Sequence, residues 1–453
     1  MNYFSLLRKF TALTFFIAGL ASNLSAQSII TVGTQPLSII PAGNTVHIFC
    51  NGDDKNYNSI YEPDSGEVAA SWWILDAQTQ TVLKHREFTD RYLPFPLRVG
   101  IGYDTLYMGT GNRVSTFNVN TQEMIQDKYI VLPDSLGFIH AITAEELDDA
   151  HQVGVAISCI KDYTNPGYLA ASINGEILLV LNTLISPQQA ITYISPIDSN
   201  GAVAVLCEGT YGVGNSYLQL FVKQDSAAVN ISVGDGGNHI FYEGTGHDSM
   251  YVTSNGTHKV LIVDLKKLSA VKSISVGTTG FNGPRESALI GNKLFVTTYD
   301  SDVREFNIET GELVATLDSK GKPEGLTVIN GKLWVANAYK SKSYEAGNTI
   351  AVFDSPLAVE EYFTENKNIV FPNPAQSSTT ISTTFSGQAN IPVQVEVYSL
   401  TGTKLLSVNT VTGNNGEVNY TLPIQEYNLT SGTYFIRLSA GHKVQTSRLT
   451  VVE

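Results

Sequence analysis

The side chains of this 453-residue chain that have chemistry to offer recur at one kind of place, directly after short apolar runs. Asp53, Asp54 and Tyr57 follow the run that ends at Cys50, and Asn112 and Arg113 follow the run at 106–110. Lys161, Asp162 and Tyr163, then Glu208 and Tyr211, then Asn255 and His258 follow the next three. Tyr299, Asp300 and Asp302 follow 294–298, and Tyr339, Lys340 and Tyr344 follow 333–337. A second set, Arg91, Tyr92, Phe281, Arg285, Glu286 and Glu324, precedes apolar runs. Phenols, carboxylates, amides and guanidinium groups in this mixture suit a polar ligand bearing rings or hydroxyls, such as a glycan or a cofactor-like nutrient. Turns select Asn, Asp and Gly for backbone reasons alone, so the Tyr and Arg members carry the information.

No compact catalytic motif joins these residues. The chain has no His-Glu-x-x-His, Gly-x-Ser-x-Gly, Cys-x-x-Cys or phosphate loop. Its eight His are scattered without ligand spacing. The pairs Asp53/Asp54 and Asp300/Asp302 offer carboxylates to a calcium ion, but no complete calcium loop surrounds either. Two functional classes are therefore expected. The favoured one is a non-enzymatic binding protein with no resident cofactor. The alternative is an extracytoplasmic hydrolase, lactonase or lyase, calcium-dependent or not, which requires His258, Asp300, Asp302 and Glu324 to converge.

These residues must be positioned by the runs between them, and the runs repeat. Met250-Tyr251-Val252-Thr253-Ser254-Asn255, Val260-Leu261-Ile262-Val263-Asp264 and Ile274-Ser275-Val276-Gly277 form one unit. The unit is written again from Leu294 and from Leu333, steps of 44 and 39 residues. Segments rich in Val, Ile, Tyr and Phe, separated by Gly, Asn, Asp and Thr, read as three or four short strands with tight turns. The period is that of one four-stranded propeller blade. Such a sheet leaves its faces partly apolar and its edges unpaired, so copies must stack around an axis.

Degenerate copies lie upstream, from Val46, Leu106, Val153 and Ala202, for a total of seven. The last copy stops at Asp354 without a closing strand, whereas Ile29-Ile30-Thr31-Val32-Gly33 supplies one at the other end. If it pairs into the last sheet, the ring is stapled shut. The expectation is an all-β protein, a seven-bladed β-propeller over 27–355.

The quoted unit resembles the repeat of YVTN/YncE-like seven-bladed propellers, including Bacteroidetes surface propellers of that type; the match is close over 240–354 and loose over 28–230. Some related propellers capture corrinoids, so the resemblance implies nutrient capture as one version of the binding function. It speaks to architecture more than to activity. Within such a ring, loops converge on one face, and the expected ligand-binding side chains there are Tyr57, Arg113, Tyr163, Tyr211, His258, Tyr299, Asp300, Tyr339, Arg285 and Glu324.

The ends of the chain address its destination. Arg8 and Lys9, the apolar stretch 10–20 and Leu24-Ser25-Ala26 read as a signal peptide over 1–26, too short to span a membrane. A net charge of −14, with 15% charged residues, argues against nucleic acid as a partner. Cys50, Cys159 and Cys207 each lie in or at the end of an apolar run and are expected as buried free thiols. After a Glu-rich linker at 356–368, residues 369–453 read as a small antiparallel β-sandwich. Its landmarks are Phe371-Pro372-Asn373-Pro374, Val397-Tyr398-Ser399-Leu400-Thr401-Gly402, and Gly432-Thr433-Tyr434. Their order at the C-terminus resembles the type A sorting domain of the Bacteroidetes type IX secretion system. That resemblance implies the secretion machinery as a partner and a cell-surface or extracellular destination.

Overall fold

Runs of β-branched and aromatic residues interrupted this often by Gly and Asn leave no segment long enough for a packed helix, and each run becomes one strand. The computed structural model describes residues 22–25, 28–56, 61–89, 98–146, 152–163, 165–185, 188–194, 202–221, 228–244, 247–354, 369–385, 390–399, 404–427, 429–440 and 443–452. The chain divides into two compact units, Met1–Ser355 and Pro356–Glu453.

In the first unit the described residues form seven antiparallel sheets in chain order, the arrangement consistent with a propeller. The first holds Pro36–Ala42, Thr45–Cys50, Ser71–Asp76 and Val82–Glu87, and the second Arg98–Gly102, Thr105–Thr110, Arg113–Asn118 and Met124–Val131. The third and fourth begin at Phe138–Glu146 and Gln188–Ile194. The fifth runs from Gly237–Tyr242 and the sixth from Ser287–Ile290 through Lys293–Thr298, Asp302–Asn307 and Leu313–Asp318. The seventh takes Gly321–Ile329, Lys332–Lys340 and Ala346–Asp354.

Its fourth strand comes from the other end of the unit. Ser28–Thr31 lies antiparallel to Ala346–Asp354, with Ile30 opposite Ile350. Val32 and Gln35 continue the pairing through their amides to the Asn348 and Gly347 carbonyls, at 2.9 and 2.7 Å. Of the segment read as a signal peptide, only Ser22–Ser25 is described; it adds a parallel strand to the outer edge of the sixth sheet, where backbone groups are otherwise unpaired.

Packing follows from the alternation along the strands. Second strands are buried on both faces, as in Val153–Ile160, while fourth strands such as Glu176–Asn182 show only alternate residues to the interior. First strands of successive sheets pack on one another, so they are the inner ones. Each apolar cluster is shared by two neighbours. Phe49, Trp72 and Phe88 pack with Leu106 and Phe117 between the first and second sheets, and Tyr251 and Ile274 with Leu294 and Phe306 between the fifth and sixth. The cycle ends where Val32, Trp334, Ile350 and Val352 of the seventh sheet meet Ile39, Val46 and Ile48 of the first. Each fully buried side chain of this size contributes about 1.5–3 kcal/mol, so no sheet keeps its share without both neighbours. The three cysteines are free and buried in these interfaces, as expected.

The second unit pairs two sheets over one core. Ile369–Phe371, Ser378–Thr384 and Glu417–Pro423 form one, and Lys404–Val411, Pro392–Ser399, Gly432–Ala440 and Lys443–Val451 the other. Ile381, Val395, Ile436 and Leu449 are among the side chains buried between them.

Candidate functional site

Among the described residues, the sixth and seventh sheets hold a dense polar and aromatic cluster at the end where their inner strands begin. Arg285 and Glu286 directly precede Ser287–Ile290, and their main chains are pinned. The Arg285 amide donates to the Thr297 carbonyl at 2.8 Å, and the Glu286 amide to Thr297 Oγ1 at 3.0 Å. Both side chains are thereby free to reach toward the seventh sheet.

Glu324 is aimed back at them by an irregularity. Pairing between Gly321–Ile329 and Lys332–Lys340 shifts register between Pro323 and Leu326, where Pro323 has no N–H to donate. Gly325 passes so close to the first sheet that a Cβ there would lie 2.2 Å from the Leu37 carbonyl oxygen. Only glycine fits, and the bulge re-aims its neighbour. The Glu324 carboxylate then receives a two-pronged fork from Arg285, Nε at 3.0 Å and Nη2 at 3.1 Å.

An aromatic wall stands over the fork. The Tyr299 hydroxyl donates to Glu324, and the Arg285 guanidinium carbon lies 4.6 Å from the Tyr299 ring centre. Tyr299, Tyr339 and Tyr344 meet edge to face at 5.6–5.9 Å, and Phe281 adds a fourth ring 6.4 Å from Tyr344. Lys322 donates to the Tyr299 carbonyl at 2.7 Å and sits 4.9 Å from the Tyr344 ring centre.

Burial sets the electrostatics. It pulls Arg285 down, but the adjacent Glu324 carboxylate more than offsets this and holds the guanidinium above its ordinary value. Burial also raises Glu324 against the pull of Arg285, and raises Tyr339. Beside the fork, His239 Nε2 lies 3.7 Å from Glu286 Oε2. Desolvation draws His239 down to about 4 and pushes Glu286 up to about 7. The His239 side chain nevertheless keeps 23% of its surface in solvent. Its Nδ1 has no hydrogen-bond partner among the described residues.

A second cluster bridges the inner strands of the second and third sheets. Arg98 Nη2 is 3.5 Å from His140 Nε2, and the Tyr163 ring, 60% exposed, lies 5.8 Å from His140 and 6.2 Å from Phe138.

Of the ten expected ligand-binding residues, Arg285, Tyr299, Glu324 and Tyr339 come together in one place, and Tyr163 belongs to the second cluster. Asp300 turns, with Asp302, to Arg304 at 3.2 and 3.1 Å. Arg113 pairs with Asp127 at 3.7 Å. Tyr211 is 62% exposed and extends to the Gly236 and Gly280 loops. His258 is a turn former: its φ is 61° and its Nδ1 lies 2.7 Å from the Asn255 carbonyl oxygen. Tyr57 lies outside the described residues. Glu324 thus pairs with Arg285, and Asp300 and Asp302 pair with Arg304. Among the described residues no group of three or more His, Cys, Asp and Glu is placed to hold a metal ion. At the opposite end of the second and third sheets, a cavity of about 660 Å³ is lined by Tyr103, Tyr107 and Tyr129; none of the expected residues reaches it.

In the second unit the expected landmarks act as staples. The Asn373 amide donates to the Arg448 carbonyl and its oxygen accepts from the Thr450 amide, both at 2.8 Å. Tyr434 donates to the Thr430 carbonyl at 2.6 Å, and Tyr398 to Glu396 at 3.0 Å. Pro372 accepts from Thr379 Oγ1 at 2.9 Å and is followed, after Asn373, by Pro374, both prolines in cis linkages. Gly432 opens the strand that carries Tyr434; Gly402 lies outside the described residues.

Residues 369–453 match the family described as the secretion system C-terminal sorting domain. The tail is a type IX sorting domain. It links the chain to that secretion machinery and implies export to the cell surface or the extracellular space. Among the described residues no helix is long and apolar enough to cross a membrane. No curated protein matches the chain. Among solved structures the computationally designed protein Ika8 is similar over 73% of this chain and 99% of its own, at 10% identity and a TM-score of 0.46. At that level the likeness carries no argument.

Proposed function

We propose that residues 27–355 form a seven-bladed propeller of the YVTN/YncE-like kind, sent outside the cell by a signal peptide and the sorting tail, and that it binds a polar, ring-bearing ligand. The observation that carries this reading is the wall of Tyr299, Tyr339 and Tyr344 above the Arg285–Glu324 fork. Aromatic faces take the flat faces of sugars or of a corrinoid-like nutrient, and a fork held rigid by its own ion pair presents fixed donors and acceptors to hydroxyls. Thermal shift with glycans, corrinoids and peptides tests it. A ligand should raise the melting temperature, and Tyr339→Ala or Tyr344→Ala should weaken binding roughly tenfold. Absence of any shift across all three classes would sink it.

One observation favours the enzymatic alternative. Glu286, raised to about 7 beside the neutral His239, titrates where a general acid or base must. That reading predicts turnover of a glycoside, lactone or uronate, lost in Glu286→Gln; wild-type-like turnover in this variant would eliminate it.

A further inference from the structure

Arg98 opens the inner strand of the second sheet, at the same end of the sheets as the tyrosine wall. Burial pulls its guanidinium down to about 10, because enclosure disfavours the charged form. The usual remedy is a carboxylate. Arg113, Arg285, Arg304 and Lys293 each have one. Arg98 has none among the described residues; its polar contact is the long one to His140, and a guanidinium has five N–H donors to satisfy. In a chain with 42 acidic and 28 basic residues, leaving a partly buried cation without an acid is the arrangement expected where the counter-charge arrives with a ligand.

The surroundings say what kind of ligand. His140 is buried, and Phe138 and the exposed Tyr163 flank it with ring surface. Lys161, two residues before Tyr163, adds a second cation over the Tyr168 ring, and Asp162 between them is turned to Asn165. Lys322 of the seventh sheet, at the same end, likewise pairs with no carboxylate among the described residues.

We propose that Arg98, His140 and Tyr163 form an oxyanion subsite that takes the charged group of an acidic sugar, a carboxylate or a sulfate on a pyranose ring. Arg98 meets the planar oxyanion with paired N–H donors, and Tyr163 lies against the ring that carries it. The inference rests on the binding function proposed above and deepens it from polar saccharide to anionic saccharide.

The test titrates the full chain with three size-matched probes, an oligogalacturonate, a sulfated galactan oligosaccharide and a neutral galactan oligosaccharide, at low and high salt. One charged probe should bind more tightly than the neutral one, with an affinity that falls with salt, and which one does so tells carboxylate from sulfate. Arg98→Gln should weaken that probe roughly 10- to 100-fold and the neutral one less than about twofold, while Arg98→Lys retains part of the affinity. The ligand-free Arg98→Gln protein should melt no lower than wild type, because it loses an uncompensated charge. A drop of more than about 5 °C would show that Arg98 supports the fold and would overturn the proposal. So would equal losses for charged and neutral probes, or charged-probe affinity unchanged in Arg98→Gln; neutral binding that still depends on Tyr339 would leave the broader function standing. Failure of all three probes to bind overturns the subsite, whereas binding of corrinoids or peptides would still support the function.

Discussion

His47 offers a direct test of how the first unit responds to acid. It is fully buried in Thr45–Cys50, and the hydrogen-bond relay through it fixes its protonation. The Trp72 indole N–H can only donate, so Nδ1 accepts from it at 3.1 Å. Nε2 therefore carries the proton and faces Thr45 Oγ1 at 2.9 Å, and the Thr45 hydroxyl passes its own hydrogen to the Ala42 carbonyl at 2.7 Å. A proton added at Nδ1 would set two donors against each other in a site without water-facing surface. Burial accordingly lowers His47 from 6.5 to about 4. Because the folded pKa lies below the unfolded one, the neutral folded form is favoured above pH 6.5, and that stability is lost as pH falls toward 4. A shift of this size is worth about 3 kcal/mol in full and about 2.5 kcal/mol by pH 4.5, a large share of the roughly 5–15 kcal/mol available to a typical domain. Urea unfolding of wild type and His47→Gln, at pH 7.5 and 4.5, measures it. Trp72, Trp73 and Trp334 all lie in the first unit, so tryptophan fluorescence reports on that unit alone. Glutamine does not titrate, so the opposing contributions of His239 and Glu286 cancel in the difference between the two proteins. The gap between them should shrink by about 2–3 kcal/mol at the lower pH. A gap equal at both pH values to within about 0.5 kcal/mol would refute the neutral relay.

Three further outcomes follow from the packing. Ile30→Asp sets a carboxylate opposite Ile350 in the closing strand and should destabilise the first unit by about 2–4 kcal/mol without affecting the tail; equal denaturation midpoints would show that closure contributes nothing. Cys50, whose thiol burial pushes up to about 12, should resist iodoacetamide at pH 8 in the folded protein and react once it is unfolded in urea, and rapid labelling of the native chain would contradict its burial. Tyr434→Phe removes the bond to the Thr430 carbonyl and should cost about 1 kcal/mol in the tail, read from its unfolding when expressed as part of the full chain; no change in midpoint would mean that this staple is idle.

The parts of the molecule that were legible in the chain are those written locally. The alternation of Val, Tyr and Ile with turn residues predicts the strands, and the missing fourth strand after Asp354 predicts where Ile29–Val32 must go, because both are statements about neighbouring residues or about one unpaired edge. The strand at Ile369–Phe371 is too short to show a period, and it was not expected. At the candidate site, Arg285, Tyr299, Glu324 and Tyr339 stand out because turns do not call for them. At His258 and Asp300 the sequence signal is ambiguous, since a polar side chain after a strand is as useful to the turn as to a ligand: His258 is itself a left-handed turn residue, and Asp300 pairs with Arg304. Lys322, His239 and Arg98 were missed because an inner strand and an outer strand share one alternation. What separates them is the neighbouring sheet, about 40 residues away in the chain.

The pairing of Ile30 with Ile350 also governs when the molecule can become itself. A chain interrupted anywhere before the 350s has a terminal sheet with a bare rim and no way to satisfy it, and the loop to be closed spans some 320 residues, a slow step for any polypeptide. The sorting tail begins only at 369, so a chain long enough to carry it already contains the strand that pairs with Ser28–Thr31.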